Sequence, residues 1–100
     1  MKTTITEKDG VLTIAVKGEL DTNTCARFQQ DIAPVEAREK VKVELDFSEL
    51  DYISSKALRV IVSLQQAVLR NGGQFSIPKV SDTVREVFQM TGLSQSLFVS

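Results

Sequence analysis

Two adjacent serines, Ser54 and Ser55, sit where the segment VELDFSELDYISSKALRVIV (residues 43–62) changes from one periodicity to another. Before them Val43, Leu45 and Phe47 alternate with Glu44 and Asp46, a period of two that predicts a strand with one buried face. After them Leu58, Ile61, Val62, Gln65, Val68 and Leu69 fall on one helical face. A serine at such a junction has two chemistries open to it. Its hydroxyl can cap the free amides of the first helical turn. It can also carry a phosphate, because those amides point outward at the positive end of the helix dipole. The residues alone leave both readings open.

The other reactive side chains narrow the choice. The chain has no histidine, which removes the commonest general base and the commonest metal ligand. A serine nucleophile at Ser55 would therefore lack its usual base, and no G-x-S-x-G elbow, Walker motif or dinucleotide fingerprint occurs. Asp46, Glu49 and Asp51 gather acidity ahead of the serines but lack the ligand spacing of a calcium loop, so they read as a solvated rim and no metal is expected. Lys56 follows the serines and either pairs with a phosphate or points to solvent. Arg59, in the first turns of the same helix, is placed for a charge-assisted contact or is simply exposed. Tyr52 is expected to pack its ring and show its hydroxyl to water. Cys25 is the only cysteine. It recurs with Phe28, Ile32 and Val35 at helical spacing and reads as a small buried hydrophobe.

Composition sets the class. One hundred residues make one domain. A hydrophobic fraction of 42% and a charged fraction of 25% are those of an ordinary globular protein. Twelve basic residues stand against thirteen acidic, for a net charge of −1. No basic stripe supports a direct nucleic-acid partner. The apolar runs are too short for a membrane span, and MKTTITEKDG lacks the apolar core of a signal peptide, so the expected location is cytoplasmic.

The elements that must position the serines follow from pattern. Thr3–Glu7 and Val11–Lys17 read as a hairpin around Asp9-Gly10. Gly18–Asp21 is the exit, and Asp21 or Thr22 caps a helix from about Thr22 to Ala33 or beyond, which Pro34 ends or kinks. Val41–Phe47 is a third strand, whose alternation argues for helices on mainly one side of the sheet. The serine helix runs from about Ser55 to Arg70, with Asn71-Gly72-Gly73 at its end. Gln74–Ile77 is a fourth strand ended by Pro78. Ser81 or Asp82 caps a third helix with Val84, Val87 and Phe88 inward, stopped by Gly92. Leu97–Val99 is a final strand or a docked tail. The fold class is α/β, a single mixed sheet of 4–5 strands in the order β-β-α-β-α-β-α-(β), partly parallel because of its crossovers.

LDFSELDYISSKALRVIV resembles the signature of the STAS domain, the family of bacterial anti-sigma factor antagonists. GELDTNT (18–24), NGG (71–73) and VREVFQMTGLSQSLFV (84–99) resemble further family stretches in the same order, so the likeness covers residues 1–100 as one STAS domain. Aligned without gaps, Ser55 falls on the serine that the family phosphorylates, with Ser54 as the fallback acceptor. The resemblance implies partner switching. The unphosphorylated protein would bind an anti-sigma factor with serine-kinase activity and free a sigma factor. Phosphorylation of Ser55 would weaken that binding, and a serine phosphatase would restore it. The ATP would belong to the partner, so this chain needs no cofactor and is not an enzyme. Asp21 and Thr24 match the family's strand-to-helix loop and are implied to contact the partner, with helix capping as the alternative for Asp21. Ser54, Ser55, Lys56 and Arg59 complete the expected partner surface. Three departures stand out: Ser54 where many members have aspartate, Lys56 at a small-residue position, and Ala57 in place of glycine. They leave room for a constitutive scaffold or adaptor built on the same domain.

Overall fold

The computed structural model describes residues 1–91. The hairpin forms as its turn residues dictate: β1 (Lys2–Lys8) and β2 (Val11–Leu20) pair antiparallel around Asp9 and Gly10. Both turn residues have positive φ, 53° and 79°, the backbone twist that lets a two-residue turn follow the strands' own twist. Helix α1 (Thr22–Glu36) follows, then β3 (Lys42–Phe47), a short β4 (Leu50–Ile53), α2 (Ser55–Arg70), β5 (Gln74–Val80) and α3 (Asp82–Thr91). The sheet runs β1-β2-β3-β5, with β3 parallel to both β2 and β5, and β4 pairs with the far end of β2. The expected α/β fold and element order hold. The predicted segment Leu97–Val99 lies outside the described residues.

One sheet face carries the core. Leu12, Ile14 and Val16 of β2, Val43, Leu45 and Phe47 of β3, and Phe75 and Ile77 of β5 are buried. Cys25, Phe28, Ile32 and Val35 of α1 and Ala57, Leu58, Val60, Ile61, Leu64 and Val68 of α2 pack with them into one cluster, joined by Val84 and Phe88 of α3. The opposite face presents Thr13, Glu44, Asp46 and Lys79 around a shallow groove. The alternation of β3 thus reported correctly that the helices cover one side.

The structure departs from the sequence reading at several points. Residues 50–53, assigned to no element by the sequence pattern, form a strand: β4 pairs in parallel with Gly18–Leu20. Gly18, at φ 92°, sits where the register of β2 shifts, and β2 continues through the expected exit to Leu20. α1 runs past Pro34 to Glu36, within the expected reach of Ala33 or beyond, so of the two alternatives Pro34 does not end it; a missing amide near a helix end costs one hydrogen bond, and Val35 stays buried behind it. Pro78 does not end β5. The strand is at the sheet edge, and Glu44↔Ser76 gives way to Asp46↔Lys79 across a register shift, so Pro78 lies at an irregularity where no ladder amide is needed. Leu69 is exposed, because α2 meets both β5 and α1, and its buried face is turned toward Leu64, Val60 and Ala57.

Candidate functional site: paired helix starts at one end of the sheet

The register decides which residues meet. Leu20 and Ile53 are partners on the parallel strands β2 and β4. The next residues are therefore neighbours, Asp21 at the start of α1 and Ser54 at the start of α2. The Ser54 amide closes the pairing by donating to the Leu20 carbonyl oxygen at 2.8 Å. The third helix begins at the same end. Ser81 donates its amide to the Phe47 carbonyl oxygen at 3.1 Å and its hydroxyl to the Leu50 carbonyl oxygen at 2.6 Å. Its Oγ also accepts from the Val84 amide at 3.4 Å. Three helix starts thus share the carboxyl-terminal end of the parallel strands, where open α/β sheets place their sites.

The two serines divide the chemistry that the sequence left open. Ser54 is the N-cap: its backbone is extended (φ −87°, ψ 164°) and its Oγ accepts from the Ala57 amide at 3.1 Å. It is only 9% exposed. Ser55 is the first helical residue and is exposed. The Ala57 amide is satisfied by the cap, and Leu58 donates to the Ser54 carbonyl oxygen at 3.0 Å. The amides of Ser55 and Lys56 precede the first intrahelical bond.

Asp21 and Thr24 form a reciprocal cap on α1. The Asp21 carboxylate accepts from the Asn23 and Thr24 amides, both at 2.9 Å, while the Asp21 amide donates to Thr24 Oγ at 2.9 Å. Thr24 Oγ donates in turn to the Glu19 carbonyl oxygen at 2.8 Å. The Thr24 amide, ahead of the other donors, holds the Asp21 carboxyl below the usual carboxylate range. Both polar groups are engaged within their own turn, so the capping alternative for Asp21 is what the geometry displays. Lys56 and Arg59 are exposed on the first turns of α2. Among the described residues no group of histidine, cysteine, aspartate or glutamate is arranged to hold a metal. No helix among them is long and apolar enough to cross a membrane.

Two exposed side chains beside the serines fell outside the predicted set. Glu19 and Tyr52 are register partners on β2 and β4, and Tyr52 is 49% exposed, more open than a packed ring. Their signal was β4 itself, which the sequence pattern hid.

A model of the STAS domain matches residues 2–100. The chain belongs to the STAS domain family. Among STAS relatives, an anti-sigma F factor antagonist of Paenibacillus polymyxa is 30% identical over 84% of this chain and 73% of its own length. The fold of this STAS domain is shared with a crystal structure of an anti-sigma factor antagonist from Mycobacterium paratuberculosis. The TM-score is 0.85 at 24% identity, over 99% of this chain and 86% of that one. It is also shared with the Bacillus cell fate determinant SpoIIAA in its phosphorylated form, at a TM-score of 0.74 and 19% identity, over 99% and 91% of the two chains. At these identities the two structures show the fold alone.

Proposed function

We propose that this protein is an anti-sigma factor antagonist that works by partner switching, with Ser55 as its switch. The observation that carries this is the division of labour between the serines. Ser54 is buried and committed to capping α2, while Ser55 stands exposed at the first helical position. A phosphate on Ser55 adds a charge of roughly −1.5 to −2 where helix amides and dipole receive it without breaking the fold. The name of the 30% identical relative, an anti-sigma F factor antagonist, supports the same reading.

In this mechanism the unphosphorylated protein docks the shared end of its helices on an anti-sigma factor that is also a serine kinase, and a sigma factor is released. The kinase transfers the γ-phosphoryl group of its own ATP. The Ser55 Oγ–P bond forms, the bond to ADP breaks, and the hydroxyl proton passes to a base on the kinase. The new charge faces the docked surface, and desolvation and repulsion weaken the complex. A phosphatase then hydrolyses the ester to serine and inorganic phosphate. Ser55, Lys56 and Arg59 face the partner, with Asp21, Thr24 and Ser54 shaping the backbone beneath them. The protein is a substrate of these reactions rather than a catalyst and acts in the cytoplasm.

Fragment mass spectrometry on protein from its native cells, with and without phosphatase treatment, tests the proposal. Phosphatase-sensitive phosphate on Ser55 is the expected result. Phosphate on Ser54 moves the switch to the fallback acceptor and requires the cap to open. No phosphate across growth conditions overturns the switch in favour of a constitutive adaptor.

A further inference from the structure

Helix α2 reads SKALRVIVSLQQAVLR and contains three cations, Lys56, Arg59 and Arg70, and no carboxylate. Lys56 and Arg59 are three residues apart on its exposed side, a like-charge spacing that isolated helices disfavour. Lys56 lies in the first turn, where the helix dipole opposes positive charge, and Arg59 follows at the start of the second. Neither side chain takes part in the ion pairs Lys17–Glu49 and Arg38–Glu7 found among the described residues. The fold therefore holds two exposed cations in an unfavourable place with no counter-charge on their own helix.

Spacing distinguishes the two. Arg59 is four residues after Ser55, so the two side chains lie on one face, one turn apart, and both are exposed. Lys56, at i+1, points about 100° around the helix from Ser55. The side chain four residues further on is Ser63, which is also neutral. On the neighbouring elements, the Asp21 carboxylate is taken by the amides of its own helix, while Glu19 on β2 and Asp51 and Tyr52 on β4 lie before the caps, and neither the Glu19 nor the Asp51 carboxylate takes part in the ion pairs Lys17–Glu49 and Arg38–Glu7.

We propose that Arg59 is the counter-ion of phosphorylated Ser55, a positioning residue that folds the phosphate back along α2 in a bidentate guanidinium contact. The inference rests on Ser55 as the modified residue. Guanidinium matches a phosphate's geometry with two parallel N–H donors, which an ammonium cannot supply. The modification thus removes two features from the docking surface at once: it adds an anion at Ser55 and takes Arg59 out of reach of the partner.

The test uses full-length protein with phosphoserine inserted at position 55 during translation, so no kinase is needed. The second ionisation of the phosphate is followed by 31P NMR against pH, in wild type and in the Arg59→Gln, Arg59→Lys and Lys56→Gln variants. Removing Arg59 is expected to raise that pKa by roughly half a unit, about threefold in the acid constant, with Arg59→Lys between and Lys56→Gln close to wild type. Coincident titrations of wild type and Arg59→Gln overturn the proposal, as does an equal shift in Lys56→Gln, which would mean diffuse charge rather than a specific pair. A chain never phosphorylated in its own cells would defeat the switch while leaving this titration intact, so the two failures are distinct.

Discussion

The amide of Ser54 donates to the carbonyl oxygen of Leu20 at 2.8 Å, and this bond fixes the start of α2 against the end of β2. It continues the parallel pairing of Leu20 with Ile53 by one residue and leaves the Ser54 hydroxyl free to turn inward and cap. Ser55 is exposed because Ser54 is not.

Ser54→Ala should therefore act on stability. Loss of the hydroxyl leaves the Ala57 amide without its acceptor, at a cost of about 1 kcal/mol for a lost N-cap. In a domain of this size that lowers the thermal midpoint by roughly 4–8 °C. Calorimetry on the variant checks this. An unchanged midpoint would mean that water replaces the cap at no cost.

Ser55 substitutions should act on binding. Ser55→Asp is expected to lose affinity for the anti-sigma factor by tenfold or more, about 1.4 kcal/mol, while Ser55→Ala keeps it. Titration calorimetry with the partner separates the two, and both variants should melt near wild type because the side chain is exposed. Equal binding by the two would assign the surface to a constitutive adaptor.

Acid should destabilise the domain through three carboxylates. The Arg38 guanidinium, by hydrogen bond and then by charge, holds the Glu7 carboxyl down, with contacts of 3.0 and 3.2 Å. The Thr24 amide does the same for Asp21, and the Ser48 hydroxyl, at 2.6 Å, for Asp46. Each folded pKa lies below its unfolded value. The contribution is therefore complete above the ordinary carboxylate range and is lost as pH falls through the folded values. Urea midpoints should stay level from about pH 8 to pH 5 in this histidine-free chain and fall below about pH 4. An Asp46→Asn variant should fall less steeply in acid than wild type.

Gly73→Ala should be among the most damaging small changes. An added methyl group would collide with the Val41 carbonyl oxygen and press on Val68, while Val41 O also accepts from the Gln74 amide at 3.0 Å. The neighbour in the way is backbone that β5 needs, so the expected loss is about 1–3 kcal/mol in denaturant titration. Wild-type stability would require the turn after α2 to shift freely.

The strands were legible where one face is buried and the ladder regular. Val43, Leu45 and Phe47 announce β3 because all three face the core and its pairing with β2 keeps register there; the slip against β5 lies in the partner strand and leaves the alternation of β3 intact. β4 was not legible, since its buried residues, Leu50 and Ile53, are three apart. That spacing fits neither period and arises from a bulge in β4 itself: Gly18 pairs with Leu50 and Glu19 with Tyr52, so Asp51 is the extra residue. Pro78 misled because it lies where the ladder slips and no amide is needed, whereas Pro34 removes one helical amide too near the end of α1 to stop it. The position of Ser54 and Ser55 at a helix start was readable from the change of period. Which of them caps was not, because that depends on the extended backbone of Ser54, held by Leu20 from a distant part of the chain.

The pairing of β2 with β4 also governs what a modifying enzyme can recognise. A short peptide copied from residues 50–60 would carry both serines but neither Leu20 nor the strand that presents it. The cap would not close, and a single helical turn does not persist in water. Ser55 at the head of a formed helix exists only after two remote stretches of chain have come together. An enzyme that recognises this arrangement reads a conformation rather than a linear motif, and a destabilised or unfolded copy of the protein is invisible to it. Under the proposed switch, modification of Ser55 is reserved for molecules that have finished folding.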